Sequence, residues 1–266
     1  MKIAVLGSNG FIGNSITTYL REKYTVTPVS RKTLNLLNPL EVKEFLQSNY
    51  FDVVVNAAAI MTDNTGIQDA RNNLGLFMNF YNNSTYFGKF INTGSGAEFD
   101  RSLNIDRAKE ENIFNVLPSD SYGFGQNLKS RLCYDRDNFY TLRIFNCFGP
   151  DEPTTRIFPK IINSKESNFI ITDNRYFDYF SVEDLCKVVD YYINNTIADW
   201  AKDINCVYPE KYLISEVIDR FNRIHNLNKS IIVNSSSDKN YTGNAENLNK
   251  LTIELSGLNQ GLKGYL

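Results

Sequence analysis

The chain has 266 residues, with 28 basic and 30 acidic side chains and a formal net charge of −2. At about 150 residues per domain this is one to two domains, long enough for a core that needs no covalent staples. The balanced charge argues against a duplex nucleic-acid partner, whose backbone calls for a basic excess. A single histidine, His225, excludes a multi-histidine zinc site, and no metal centre is expected. No apolar run approaches the roughly 18 residues of a membrane span, and the N-terminus enters a strand-like pattern with no signal peptide. Cys133, Cys147, Cys186 and Cys206 form no CxxC pair and have apolar neighbours. Buried reduced thiols in a cytoplasmic protein are therefore expected.

Lys2–Leu6 is an apolar run of strand length. Gly7–Gly13 follows, and Ile12, Ile16 and Leu20 then recur at helical spacing. Tyr24–Val29 places β-branched residues at alternate positions and reads as a second strand. Val42, Phe45 and Leu46 share a helical face. Asp52–Asn56 is apolar on both faces, which suits a parallel strand covered on both sides. A helix is predicted over Asp69–Asn82, a strand over Lys89–Asn92, a helix over Ser121–Arg136 and a strand over Phe139–Phe145. This alternation predicts βαβ units, that is, an α/β fold with a Rossmann-type doubly wound parallel sheet. The pattern loosens after Gly149-Pro150. Ile157–Ile162, a strand near Phe169–Thr172 and a helix over Val182–Ile193 follow, and Ile214, Val217, Ile218 and Phe221 make one more helical face. The expected division is a dinucleotide-binding unit at 1–150 and a smaller C-terminal α/β lobe at 151–266, interleaved with the sheet.

Gly7-Ser8-Asn9-Gly10-Phe11-Ile12-Gly13 has the spacing GxxGxxG between the first strand and the first helix. Glycine suits a turn of unusual φ/ψ that a pyrophosphate approaches closely, and the helix N-terminus offers free N–H groups to the anion. A Gly-rich tight turn is the plainer alternative, which the strand–turn–helix context disfavours.

This spacing resembles the extended short-chain dehydrogenase/reductase family, which includes nucleotide-sugar epimerases, dehydratases and reductases. Further motifs agree in order over about residues 1–185. Asn56-Ala57-Ala58-Ala59 matches the family's turn beside the cofactor, and Thr93-Gly94-Ser95 ends the fourth strand. Tyr122-Gly123 opens a helix 27 residues after Ser95. Leu142–Pro150 resembles LRxxNxYGP, and Phe177–Asp184 resembles RDYxxVxD. The resemblance implies cofactor contacts from Gly7 to Gly13 and from Ala57, Ala58, Ala59, Tyr122 and Gln126. After the second strand, Ser30-Arg31-Lys32 stands where NAD enzymes commonly carry an acidic residue on the ribose diol. A hydroxyl and two cations suit a 2′-phosphate, so NADP is expected, with NAD as the alternative. Asn35 and Leu36 occupy the place of the family's Asp and apolar residue at the adenine.

The resemblance also assigns the chemistry. In the family a Tyr moves the proton of the substrate oxygen, a Ser or Thr hydrogen-bonds that oxygen, and a Lys four residues after the Tyr holds the ribose and lowers the Tyr pKa. Here the three positions are Ser95, Tyr122 and Gln126. Glutamine can bond ribose hydroxyls but carries no charge to stabilise a tyrosinate. Lys129, about 10 Å further along the helix, does not replace that contact. The change harms a base more than an acid, because a ketone reductase needs the neutral phenol and an epimerase or dehydratase needs the tyrosinate first. Gly96-Ala97 stand where dehydratases carry an Asp-Glu pair; Glu98 and Asp100 are near but off register.

The reading is an NADP-dependent reductase of a nucleotide-linked 4-keto-6-deoxy sugar, in the manner of polysaccharide biosynthesis. A C4 epimerase and a non-catalytic dinucleotide-binding protein are the alternatives. Ser95, Gly96, Asn146, Arg156, Lys160 and Arg175 are the candidate substrate contacts; the three cations are equally at home as solvated surface charges. Phe177 stands at the family's Arg position. Tyr241–Asn244 resembles the family's sugar-binding loop, and Asn72 occupies a helix position used to fix a water or a kink. His225 reads as a surface residue. Ser95 lies in no GxSxG elbow, which disfavours a hydrolase. The resemblance implies a homodimer pairing through the two long helices.

Overall fold

The computed structural model of the chain describes residues 1–60 and 66–266. The first half runs β1 (Lys2–Leu6), α1 (Phe11–Arg21), β2 (Thr25–Val29), α2 (Pro39–Asn49), β3 (Phe51–Asn56), α3 (Ile67–Tyr81), β4 (Phe87–Ser95), β5 (Ile105–Ala108), α4 (Ser121–Tyr134), β6 (Phe139–Ile144) and β7 (Cys147–Phe148). The second half runs α5 (Ile157–Asn163), β8 (Asn168–Ile171), β9 (Phe180–Ser181), α6 (Val182–Asn194), β10 (Asp203–Cys206), α7 (Ile214–Ile224), β11 (Ser230–Val233), β12 (Tyr241–Gly243), α8 (Glu246–Lys250) and α9 (Gly257–Lys263).

Six strands form one parallel sheet in the order β10-β6-β4-β3-β1-β2. Successive side chains of a strand point to opposite faces, so each strand feeds two cores. Ile3, Val5, Val53 and Val55 face a layer built on Ile16 and Leu20 of α1 and on Leu185, Val188 and Val189 of α6. Ala4, Leu6 and Val54 face the other, built on Val42 and Leu46 of α2 and Leu76, Phe77 and Phe80 of α3. Pro28 lies on β2, an edge strand, where a missing N–H is tolerated. Three two-stranded parallel pairs, β5 with β12, β7 with β9 and β8 with β11, arrange the remaining chain around the C-terminal ends of the sheet. There Phe99, Ile105, Ile113, Phe145 and Tyr241 make a third, smaller core.

The doubly wound α/β fold is the one predicted, and most boundaries agree within two residues. Two departures matter. Strand β4 continues three residues past Asn92, because Thr93, Gly94 and Ser95 stay in register with Leu142, Arg143 and Ile144. Ser95 is thereby held on sheet backbone. Strand β10 lay outside the predicted elements, since Asp203 and Asn205 interrupt its apolar pattern. Both are buried, and both bond to Arg143 of β6. The four cysteines are free and buried, as expected. His225 is half-buried rather than a surface residue: its Nε2 contacts the Leu262 carbonyl at 2.7 Å and its ring packs on Phe221. Among the described residues no helix is long and apolar enough to cross a membrane, and no cluster of His, Cys, Asp and Glu suits a metal ion.

Candidate active site

The glycine turn at the end of β1 is set by close backbone contacts. Gly7 has φ +74°, a left-handed conformation that favours glycine. A Cβ there would lie 2.7 Å from the Ala57 carbonyl oxygen, and a Cβ on Gly13 would lie 2.2 Å from the Gly7 carbonyl oxygen. The Gly7 and Ser8 amides both donate to the Val29 carbonyl, at 2.9 and 3.1 Å. The Ser8 hydroxyl turns back to that same carbonyl at 3.1 Å, so it serves the turn itself. Helix α1 starts at Phe11 with Gly10 as N-cap and no side chain capping it. Its first-turn amides are left for an anion, as a pyrophosphate cradle requires. Asn9 and Gly10 are exposed at the mouth, Phe11 and Ile12 partly so.

Beside the cradle, the Ala57 amide donates to the Leu6 carbonyl at 3.1 Å and the Ala58 amide to Asn56 Oδ1 at 3.2 Å. Past β2, Ser30 opens a turn in which Arg31 and Lys32 are exposed and, among the described residues, ion-paired with nothing. Leu36 is buried in the core under α3, and Asn35 Oδ1 accepts the Leu37 amide, so both brace this wall. Asn72, half-buried, accepts a hydrogen bond from Gln68 one turn earlier on α3. Its neighbour Asn73 does the fixing: it accepts the Ile60 amide at 2.7 Å and donates to the Ile60 and Asp69 carbonyls.

The cleft itself has a volume of about 610 Å³, and Ser95, Tyr122, Arg101, Arg156, Arg175 and Tyr241 line it. Ser95 ends β4, and its Oγ accepts the Ala97 amide at 3.2 Å. Its own amide donates to Glu98 Oε1 at 2.7 Å. Glu98 is fully buried, and Arg143 Nε holds its other oxygen at 2.7 Å. Arg143 also reaches Asp203 at 2.5 Å and Asn205 at 3.0 Å. Glu98 thus anchors the Ser95 backbone and is no free acid. The Asp100 carboxylate is equally engaged, by Ser102 and Ser119, which hold its pKa below the usual range against the opposing effect of burial. Neither stands in for the dehydratase pair.

Tyr122 lies in the first turn of α4, whose N-cap Asp120 accepts the Gly123 amide at 2.8 Å. Burial pushes the Tyr122 pKa above the ordinary phenol value, and the Glu98 charge adds to this. Hydrogen bonding from Ser95 and Gln126 and the Arg101 charge pull the other way without cancelling the rise. The phenol is therefore held neutral. The Arg101 guanidinium sits 5.7 Å from the Tyr122 ring centre and is tethered to Asp120 at 2.8 Å. This cation was not singled out from the sequence, since the loop carrying it has no motif. Gln126 is buried, and its Oε1 is without a hydrogen-bond partner. An orphaned acceptor beside the Tyr122 phenol fits a sugar hydroxyl of a dinucleotide. Together with a cradle that any Cβ would fill, it makes these residues a fit for a bound nicotinamide dinucleotide. Lys129 points into the protein, 2% exposed, and burial brings its pKa down to about 8.

Two further predicted contacts, Arg156 and Arg175, line the cleft. Arg156 donates to Asn146 Oδ1, and Arg175 donates to the Lys239 carbonyl at 3.1 Å while lying over Phe177. Gly96 is buried between Phe145 and Tyr241. Lys160 is exposed on α5 and does not line the cleft. Tyr241, which the sequence offered only as part of a faint loop resemblance, brings its hydroxyl beside Ser95 and Gly96.

Comparisons with known proteins agree with this fold. CDP-abequose synthase of Yersinia pseudotuberculosis is 24% identical over 256 residues, covering 87% of each chain. A GDP-D-glycero-L-gluco-heptose synthase of Campylobacter jejuni, solved in the presence of NADPH, superposes with a TM-score of 0.83 at 18% identity, covering 99% of this chain and 96% of the other. The GDP-mannoheptose C4 reductase of Campylobacter jejuni with NADP bound superposes with a TM-score of 0.81 at 20% identity and the same coverage. The profile of one family matches residues 3–206, from β1 through β10. With its glycine cradle, its Ser–Tyr pair and that match, the chain belongs to the NAD dependent epimerase/dehydratase family.

Proposed function

We propose that this protein is an NADP(H)-dependent reductase of a nucleotide-linked 4-keto sugar, with a 4-keto-6-deoxy sugar as the expected substrate. The observation that carries the reading is the placement of Ser95 and Tyr122 in one cleft, with Gln126 at the usual lysine position. The phenol shares a cleft with Ser95, its pKa is raised, and the usual lysine is Gln126. Reduction starts from the neutral phenol, whereas epimerisation needs the tyrosinate first, so an uncharged glutamine at 126 favours reduction over epimerisation. Support for the substrate class comes from the relatives, one of which is a C4 reductase of a GDP-linked sugar. Support for NADP comes from the exposed, unpaired Arg31 and Lys32 after β2, which suit a 2′-phosphate.

In this mechanism the cradle from Gly7 to Gly13 binds the cofactor pyrophosphate through backbone amides, and Gln126 Oε1 accepts from a ribose hydroxyl. Reduced nicotinamide, when bound, supplies the hydride to the carbonyl carbon. Arg156, Arg175 and Asn146 hold the nucleotide-sugar on the opposite wall. Ser95 hydrogen-bonds the carbonyl oxygen and fixes its distance from Tyr122. Tyr122 donates its proton to that oxygen as negative charge develops there. Arg101, close to the ring, is the cation that eases the tyrosinate left behind.

Mixing the purified protein with NADPH and a panel of 4-keto nucleotide sugars tests the reading by the nicotinamide absorbance. Oxidation of NADPH with at least one nucleotide is expected, and Tyr122→Phe should lower kcat by roughly 100-fold or more. No oxidation with any member of the panel overturns it. NADPH binding without turnover would favour the non-catalytic alternative that Gln126 keeps open.

We further propose a homodimer formed through α3 and α4. Ile67 at 81% exposure and Phe124 at 41% flank an apolar groove along these two helices, with Ala70 and Leu74 between them. A single-chain mass by light scattering, with Phe124→Asp having no effect on it, would contradict this.

A further inference from the structure

Ser95 has a phenol on each side. On one side is Tyr122 of α4. On the other is Tyr241 of β12, from the far end of the chain, lining the same cleft. A Cβ on Gly96 would lie 2.8 Å from the Tyr241 hydroxyl oxygen, so that oxygen rests against the backbone directly after Ser95. The absence of a side chain at Gly96 is what admits it.

The position of Tyr241 is rigid. Its ring packs at 5.1 Å against both Phe145 and Phe177. Its amide donates to the Tyr176 carbonyl at 2.9 Å, and its carbonyl accepts the Asp178 amide at 3.1 Å. Two residues on, the Gly243 amide donates to Asp178 Oδ2 at 2.7 Å, and Lys211 Nζ clamps the same carboxylate at 2.7 Å. Tyr241 is buried where it lines the cleft, and its hydroxyl lies within hydrogen-bonding reach of Ser95. A structural filler at this point needs only the ring; a hydroxyl aimed at the reacting corner needs a partner there.

We propose that Tyr241 is a second phenolic donor to the sugar oxygen that Tyr122 protonates, so that Ser95, Tyr122 and Tyr241 form a three-hydroxyl cradle around the reacting carbonyl. The inference rests on the reductase reading above. In the step, the carbonyl π bond breaks, a C–H bond forms with the hydride of the reduced nicotinamide, and an O–H bond forms with the Tyr122 proton. The sugar is reduced and the cofactor oxidised. Tyr241 keeps its own proton throughout and contributes only a hydrogen bond, which strengthens as charge gathers on the oxygen. Burial raises its pKa well above the ordinary phenol value, which keeps that proton in place. The arrangement complements the absence of a lysine at position 126: charge on the sugar oxygen is met by hydroxyl dipoles from both lobes, while Arg101 is the cation beside the Tyr122 ring.

The test is Tyr241→Phe, which keeps the ring between Phe145 and Phe177 and removes only the oxygen. Expected are a roughly 100-fold loss in kcat, unchanged NADPH affinity by nicotinamide fluorescence, and a larger primary isotope effect with NADPH deuterated at the transferred position. The enlarged isotope effect reports a slower chemical step, which a loss of packing alone would not produce. A kcat within threefold of the parent overturns the assignment, as does a fall in kcat matched by a fall in NADPH affinity. If the parent protein itself oxidises no NADPH with any 4-keto nucleotide sugar, the reductase reading fails first, and this assignment with it. If the parent is active and Tyr241→Phe is equally so, only the role of Tyr241 is lost.

Discussion

Gln126 is the residue on which the proposed chemistry turns. A lysine there would stabilise the tyrosinate and lower the Tyr122 pKa; glutamine leaves the phenol neutral. The consequence has a definite sign. In Gln126→Lys the acid form of Tyr122 is lost at lower pH, so the alkaline limb of the reduction profile moves down by a unit or more. The rate near neutrality should change by less than about tenfold. A pH–kcat profile of the variant checks both. A variant that gains reductase activity from a silent parent would instead mark the native chain as a binding protein. Ser95, Tyr122 and Gln126 could be read from the sequence because they lie at fixed offsets from recognisable turns. Arg101 could not be, and Tyr241 only as part of a loop resemblance that gave it no place beside Ser95. One sits on a loop without a pattern, and the other arrives from more than a hundred residues away through a three-residue strand.

Among the elements, the unit from β1 to α1 is fixed by its glycines. Gly13 faces the Gly7 carbonyl so closely that even a methyl group must part the turn. Gly13→Ala should weaken NADPH binding at least tenfold, about the cost of one overpacked methyl. A fluorescence titration equal to the parent's would show that the turn is not the cofactor site. This unit was plain in the sequence because its signal is local: a strand, three spaced glycines and a helix. Helix α4 was equally plain. The pairs of β5 with β12 and β7 with β9 were not, for a physical reason. Strands of two to four residues have no periodicity of their own, and their partners lie far off along the chain. Strand β10 was hidden differently, since its buried polar residues face an arginine that composition cannot locate.

For the molecule as a whole, the buried charges beneath the cleft set stability. Lys129 has a pKa near 8 in the folded protein against 10.5 when exposed, chiefly through burial. Between these values the unfolded chain binds more protons, so this residue makes stability rise with pH from about 8 to 10.5. Below pH 8 it is a constant burden. Lys129→Met should therefore stabilise the protein at pH 7 by up to roughly 3 kcal/mol, and the advantage should shrink through that alkaline window. Denaturant midpoints at pH 7 and pH 10 measure it; an unchanged midpoint at pH 7 argues against a buried cation. Arg143 is the opposite case, an ion paired on both sides by Glu98 and Asp203.

That pairing bears on how the chain acquires its shape. Arg143 belongs to β6, while Asp203 belongs to β10, sixty residues later. Until β10 is made, β6 is an open edge carrying a half-neutralised guanidinium, and the α1 face lacks its α6 cover. The glycine cradle follows β1, yet the sheet beneath it closes only when the chain has passed Cys206. Residues 1–150 made alone should therefore be aggregation-prone and resist neither urea nor protease, while residues 1–266 do. A soluble, cooperatively unfolding 1–150 fragment would refute that. The two halves of the chain are, on this view, one folding event.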